Sequence, residues 1–299
     1  MLFAQFCAQM NVPIDALGNL KPEDCSFERC VQACQDSKFQ RRKRTIAEFR
    51  SVSEKMMRIC PEWRKRPLRS LQVADCEEMI QHGFSTDRQR LKAYVILHGI
   101  FAYGFKRCWC SHNPVALLDK PRVQESELEL LSWQELRRLL RVARREEHRA
   151  CLPALALMLW AGIRPSEVAR LDWQHIDWRE RVLVVPAQHA KTGGCRHVHL
   201  GSALRGVLGE QPHPAAGPIC PADWGRRWKR LRGEAGLVPW RQDVLRHCFA
   251  SYHIKKWHDY ARLQAEMGHR SADLLRTRYL SMRGISSKQA TAFWRVGGL

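Results

Sequence analysis

No run of 18 consecutive apolar residues occurs in the 299-residue sequence, so a membrane-spanning helix is not expected. The opening MLFAQFCAQMNVPID has neither the positive cluster nor the long apolar core of a secretory signal. A cytoplasmic protein with reduced thiols is the resulting expectation. Paired Cys-x-x-Cys units of a structural zinc site are missing too, since Cys25–Cys30–Cys34 and Cys108–Cys110 do not supply that spacing. Most of the 12 cysteines are therefore read as small buried hydrophobes, with a zinc-dependent fold as a distant alternative. There is no internal repeat, no low-complexity tract, no Walker loop and no carboxylate cluster suited to Mg²⁺. Acidic residues are scarce: 30 Asp+Glu face 50 Lys+Arg, a net charge of +20. That excess goes beyond what solubility needs and points to a polyanionic partner, nucleic acid first. Apolar residues are not scarce; at 45% they support a buried core, and disorder is not expected.

What is present divides into two domains. From about Cys25 to Pro121 the pattern is helical. Thr45–Ile59 has apolar residues at helical spacing and is stopped by Pro61. Leu91, Tyr94, Val95, His98, Phe101, Ala102 and Phe105 mark one face of a longer helix, which Ser111-His-Asn-Pro114 breaks. The polar stretch Asp119–Glu129 reads as an interdomain linker. The expected division is an N-terminal extension over 1–24, a helical first domain over 25–121, a linker over 122–131 and a second domain over 132–299.

In the second domain Ser132 and Glu135 have capping-box spacing ahead of Leu136, Leu139, Leu140 and Ala143. Leu152–Trp160 is apolar on nearly all sides and belongs in a core. The period then changes: Arg181–Val185 and Cys195–Leu200 read as strands, with the turn at Lys191-Thr-Gly-Gly194. Helices are expected over Val244–Trp257, His258–Met267, Ser271–Leu280 and, as a tail, Ser286–Trp294. The predicted fold is mainly α with a small antiparallel β-sheet, an all-helical first domain followed by an α+β second domain.

Four fragments of that second domain carry chemistry. Gly162-Ile-Arg-Pro-Ser-Glu167 sets Arg164 at the end of a buried helix, Lys191 lies near the hairpin tip, Asp243-Val-Leu-Arg246-His247 opens a helix, and Gly268-His269 precedes Tyr279. Each alone is weak. Together, two arginines, a lysine, a histidine and a tyrosine fit phosphoryl transfer without metal. Arginine forks bind non-bridging phosphate oxygens bidentately and stay charged at any working pH. Tyrosine attacks if nearby positive charge favours its phenolate, and lysine protonates a leaving alkoxide if cationic neighbours lower its pKa. Fixed positive charge takes the place of metal ions. Only five tyrosines exist; Tyr94, Tyr103, Tyr252 and Tyr260 lie on patterned helices and read as core or surface.

These fragments, in this order, resemble the tyrosine recombinase (phage integrase) family over roughly residues 25–295. GIRPSEVARLDW resembles the family's first arginine motif, AKTGGCRHVHL the lysine-bearing hairpin, LRHCFASY the second arginine motif, and MGHRSADLLRTRYL the terminal segment. FAYGFKRCWCSHNPVALL is similar to the last helix of the family's core-binding (SAM-like) domain. The resemblance implies catalytic roles for Arg164, Lys191, Arg246 and His269 with Tyr279 as nucleophile. It also implies no cofactor, a C-shaped clamp on double-stranded DNA, a tail packed onto a neighbouring protomer, a tetramer on DNA, and accessory DNA-bending or directionality factors. One position departs: Asp243 stands where the family usually has a histidine, three residues before the second arginine. A tolerated variant, a slower enzyme and an inactive DNA-binding relative are the three readings of that change. A topoisomerase-like activity is a further alternative. Glu167 is read as buttressing an arginine, His197 and His199 as a solvated or DNA-facing strand edge, and Arg41-Arg-Lys-Arg44 as a solvated or phosphate-contacting run.

Overall fold

The computed structural model describes residues 25–37, 43–123, 129–190, 194–210, 214–268 and 284–299. The chain forms two compact units, Met1–Glu125 and Ser126–Leu299. No helix among the described residues is long and apolar enough to cross a membrane.

The first unit is helical: α1 (Phe27–Asp36), α2 (Lys43–Ile59), α3 (Val73–His82) and α4 (Asp87–Phe105). Ser26 and Thr86 cap α1 and α4, their hydroxyls accepting from the backbone N–H groups of Arg29 and Gln89. The core gathers Phe27, Met56, Leu68, Leu97, Ile100 and Phe101. The buried face of α4 differs from the sequence expectation. Ala93, Leu97, Ile100, Phe101 and Gly104 are inside, whereas Val95 and Phe105 are 55% and 52% exposed. The reason is close packing by small residues, which apolar periodicity does not register. A Cβ on Gly104 would stand 2.2 Å from the Leu68 Cδ2 atom, so the helix approaches its neighbour through glycine. Cys25, Cys30, Cys34, Cys76 and Cys110 are buried here, and Cys151, Cys220 and Cys248 in the second unit. Burial pushes the thiols of Cys76, Cys220 and Cys248 up to about 12, as befits packing residues.

The second unit begins within the segment read as linker, because Leu131 is already buried in its core. Helix α5 (Trp133–Ala143) starts with the expected capping box: Glu135 N–H donates to Ser132 Oγ, and Ser132 N–H donates to the Glu135 carboxylate at 2.7 Å. Helix α6 (Leu152–Trp160) is buried almost throughout and forms the centre of the core. After the short helix α7 (Pro165–Val168) come β1 (Ile176–Asp177), β2 (Val182–Val185) and β3 (Arg196–His199), an antiparallel sheet in that order. The two-residue β1 is too short to show a period and was missed by pattern. Register pairs Val182 with His199 and Val185 with Arg196. Alternation along β3 turns Arg196 and Val198 into the core and His197 and His199 outward. Among the described residues the further α-helices are α8 (Ser202–Leu208), α9 (Trp224–Glu234), α10 (Val244–Trp257), α11 (Tyr260–Met267) and α12 (Ser287–Phe293).

In the single chain the tail helix is seated on its own unit. Phe293 is fully buried and stacks on Tyr252, ring centroids 4.1 Å apart, while Trp160 Nε1–H donates to the Phe293 carbonyl at 2.7 Å. Trp294 packs against Phe249, His253 and Trp257 of α10. Packing these large apolar rings against α6 and α10 removes them from water.

Candidate active site

The first arginine is placed by a turn that only glycine makes easily. Helix α6 ends at Trp160, and Gly162 then adopts φ +59° with its Cα against the Phe249 ring; a Cβ would meet that ring at 2.5 Å. Pro165 starts α7 at a position where its missing N–H costs nothing, with Arg164 as the N-cap residue. Three residues on, the fully buried Glu167 reaches back. Its Oε2 accepts from the Arg164 backbone N–H at 3.2 Å, and its Oε1 accepts from Arg164 Nη1 at 3.0 Å.

A residue not singled out by its own motif completes this arrangement. Arg196, turned inward by the strand parity of β3, donates from Nη2 to Glu167 Oε2 at 2.6 Å and from Nη1 to Oε1 at 3.4 Å. Its Nε donates to the Glu266 carbonyl at 2.9 Å. One buried carboxylate thus lies between two guanidinium groups. The signal was available in the sequence: with Val198 inside, period-two alternation requires Arg196 inside, and a buried arginine requires an acid.

Arg246 lies on the first turn of α10 and is buried. Its Nη1 donates to the Gly162 carbonyl, two residues before Arg164, and its Nη2 donates to the Met267 carbonyl at 2.6 Å. Arg196 and Arg246 therefore hold the consecutive carbonyls of Glu266 and Met267 at the end of α11. The dipole of that helix places negative charge there, so both contacts are charge-assisted. Gly268 follows in a left-handed conformation against the Arg196 side chain. The Glu266 carboxyl, paired with Arg262 at 3.0 Å, has its pKa raised by burial.

Asp243 is half-buried at the N-cap of α10 with φ +56°, a left-handed conformation that aspartate tolerates better than most residues. Its carbonyl accepts from His247 N–H at 3.0 Å. Of the residues expected to act together, Arg164, Asp243 and Arg246 are thus placed around the α6–α7 turn and the start of α10. Lys191, His269 and Tyr279 lie outside the described residues, as do the expected helix Ser271–Leu280 and the side chains of the basic run Arg41–Arg44. The rival Tyr252 is buried, and burial raises its phenol pKa well above the ordinary value, which disfavours a phenolate. Tyr94 and Tyr103 belong to the first unit. His197 and His199 are exposed on the outer face of β3.

A helical scaffold with a small antiparallel sheet thus presents arginines held by buried carboxylate and carbonyl partners. Comparison with known proteins carries this further. Residues 129–283 match the phage integrase family, and the chain belongs to that family. It is 30% identical over 178 residues to a shufflon-specific DNA recombinase of Escherichia coli, covering 58% of this chain and 45% of that protein. It is 28% identical over 204 residues to tyrosine recombinase XerC of Azotobacter vinelandii, covering 60% and 64%. The chain thus matches less than two thirds of either relative's length. In fold it is similar to a lambda integrase bound to DNA, with a TM-score of 0.65 at 17% identity over 87% of this chain and 96% of that one. It is equally similar to the Tn1549 transposon integrase in complex with a circular intermediate DNA, at 17% identity over 85% and 95%.

Proposed function

We propose that the protein is a site-specific DNA recombinase of a mobile element, cutting and rejoining DNA through a covalent 3′-phosphotyrosyl intermediate. The observation that carries this is the joining of Arg164 and Arg246 to one turn, with Arg246 donating to the carbonyl of Gly162. Two arginines so held are pre-oriented, and a phosphate entering beside them needs little reorganisation of charge. Arg164 is 13% exposed in its side chain, and among the described residues its Nε and Nη2 donate no hydrogen bond, which leaves one guanidinium edge for a phosphate.

In this reading Tyr279 attacks the scissile phosphorus as its phenolate, its proton released to solvent, forming the phosphotyrosyl bond as the bond to the 5′ oxygen breaks. Lys191 protonates that leaving oxygen, giving a free 5′-hydroxyl. Arg164, Arg246 and His269 stabilise the charge on the non-bridging oxygens. A 5′-hydroxyl from a partner duplex then attacks the phosphotyrosine and releases Tyr279. The phosphodiester bond energy is kept in the protein–DNA link, so the steps consume no ATP and draw on no metal ion. Synapsis of two duplexes by a tetramer belongs to the same reading; among the structural neighbours is a lambda integrase tetramer bound to a Holliday junction. The burial and raised pKa of Tyr252 support Tyr279 as the nucleophile.

A duplex nicked close to the scissile phosphate traps the intermediate, because the short product diffuses away. Wild-type protein is expected to form a covalent adduct in the presence of EDTA, and Tyr279→Phe none. An adduct formed by Tyr279→Phe would falsify the assignment. Asp243 favours a second reading, a catalytically weakened or inactive DNA-binding relative: an anion beside Arg246 opposes a phosphate. Tight DNA binding with no wild-type adduct would establish it.

A further inference from the structure

We infer that Arg196 is a positioning residue of the site, setting both the charge that Arg164 presents and the placement of the carbonyls that end α11. The inference deepens the recombinase reading and rests on it.

Two observations carry it. First, Glu167 is fully buried and its carboxylate is shared: Arg164 takes one hydrogen bond through its side chain and one through its backbone, and Arg196 takes two through Nη1 and Nη2. A buried carboxylate draws strongly on whatever cation it has. With Arg196 in place the carboxylate's charge is shared between two guanidinium groups, and Arg164 keeps more positive charge for an incoming phosphate. Without it, Arg164 bears a larger share of that charge and is drawn toward the carboxylate. Second, Arg196 Nε holds the carbonyl of Glu266 while Arg246 holds that of Met267, and Gly268 packs on the Arg196 stem. The end of α11 is therefore held by one arginine on the β3 strand and one on α10.

The geometry demands a guanidinium. One side chain addresses two carboxylate oxygens with its fork and a carbonyl with its Nε, whereas a lysine offers a single point charge on a flexible stem. Lysine at 196 keeps the neutralisation of Glu167 but gives up part of the geometry. A neutral side chain gives up both.

The test compares wild type, Arg196→Lys, Arg196→Met and the double variant Arg196→Met/Glu167→Gln. Single-turnover adduct formation is measured on nicked DNA at saturating protein, beside DNA affinity and folded content by circular dichroism. Arg196→Met is expected to slow adduct formation about 100-fold, and Arg196→Lys about 10-fold, with DNA affinity within about twofold of wild type. Removing the buried charge as well is expected to recover adduct formation about 10-fold relative to Arg196→Met. A purely structural role predicts the opposite: cleavage falling only in proportion to folded protein or to bound DNA, with no rescue by the second substitution. That result, or wild-type rates in Arg196→Lys and Arg196→Met, overturns the inference. Should Arg196→Met fail to fold, Arg196→Lys decides, a wild-type rate rejecting the inference and a slowed rate at unchanged affinity supporting it. Absence of an adduct with the wild-type protein would instead refute the recombinase reading, so the two failures are distinct.

Discussion

Replacing His253 by phenylalanine should make the protein markedly less sensitive to mild acid. His253 is 1% exposed on α10, enclosed by Phe249, Trp257 and Trp294, and both ring nitrogens are buried with no hydrogen-bond partner among the described residues. Burial, helped by Arg262 and opposed by Asp259, holds its pKa down at about 4, against an ordinary value of 6.5. A depressed pKa means that the unfolded chain takes up the proton first. Stability from this group is therefore complete above pH 6.5 and is lost as pH falls toward 4. The whole gap corresponds to about 3 kcal/mol, of which about 2.5 kcal/mol has gone by pH 4.5. Urea unfolding of wild type and His253→Phe at pH 7.5 and pH 4.5 isolates the group, because all other titrations are common to both proteins. The variant is expected to be more stable at pH 7.5 by about 1 kcal/mol, from removal of orphaned polar atoms. Its advantage should widen by about 2.5 kcal/mol at pH 4.5. Equal losses in the two proteins between these pH values would refute the reasoning. Phe249 also packs with Leu263 and Met267 of α11, and Trp294 belongs to the tail, so loosening around His253 in acid should also slow adduct formation in the wild type more than in the variant.

Gly162→Ala should destabilise the second unit by about 3 kcal/mol, combining a left-handed φ with a Cβ inside the Phe249 ring contact, seen as a lower urea midpoint. Phe293→Ala removes a fully buried ring stacked on Tyr252 and should cost about 3–5 kcal/mol by the same measurement. An unchanged midpoint would mean that the tail is not held on its own unit in solution. Asp243→His places a neutral or cationic group beside Arg246 in a backbone conformation histidine also tolerates, and should speed single-turnover adduct formation about tenfold. A slower variant would show that the aspartate itself takes part in the reaction.

Much of the architecture is legible from neighbours along the chain. The capping box of Ser132 and Glu135, the all-apolar α6 and the span of α10 depend on residues within a turn or two of each other, and each stands where periodicity and capping chemistry place it. The order of the arginine motifs, and with it the family, is also written locally. Three features depend on contacts that no window of sequence contains. The buried face of α4 is chosen by how closely Ala93 and Gly104 let other segments approach, not by which residues are most apolar. The tail sits on its own unit because Phe293 and Trp294 find apolar partners on α6 and α10, more than 30 residues away in the chain. Arg196 acquires its significance only when β3 is laid against the α6–α7 turn and the end of α11, bringing Glu167 and the Glu266 carbonyl within hydrogen-bond distance. The sequence by itself determined the kind of elements, their order and the residue types able to hold a phosphate. Tertiary packing decided which charges are buried together, because the energy of a buried ion pair belongs to the space between elements and not to either strand or helix alone.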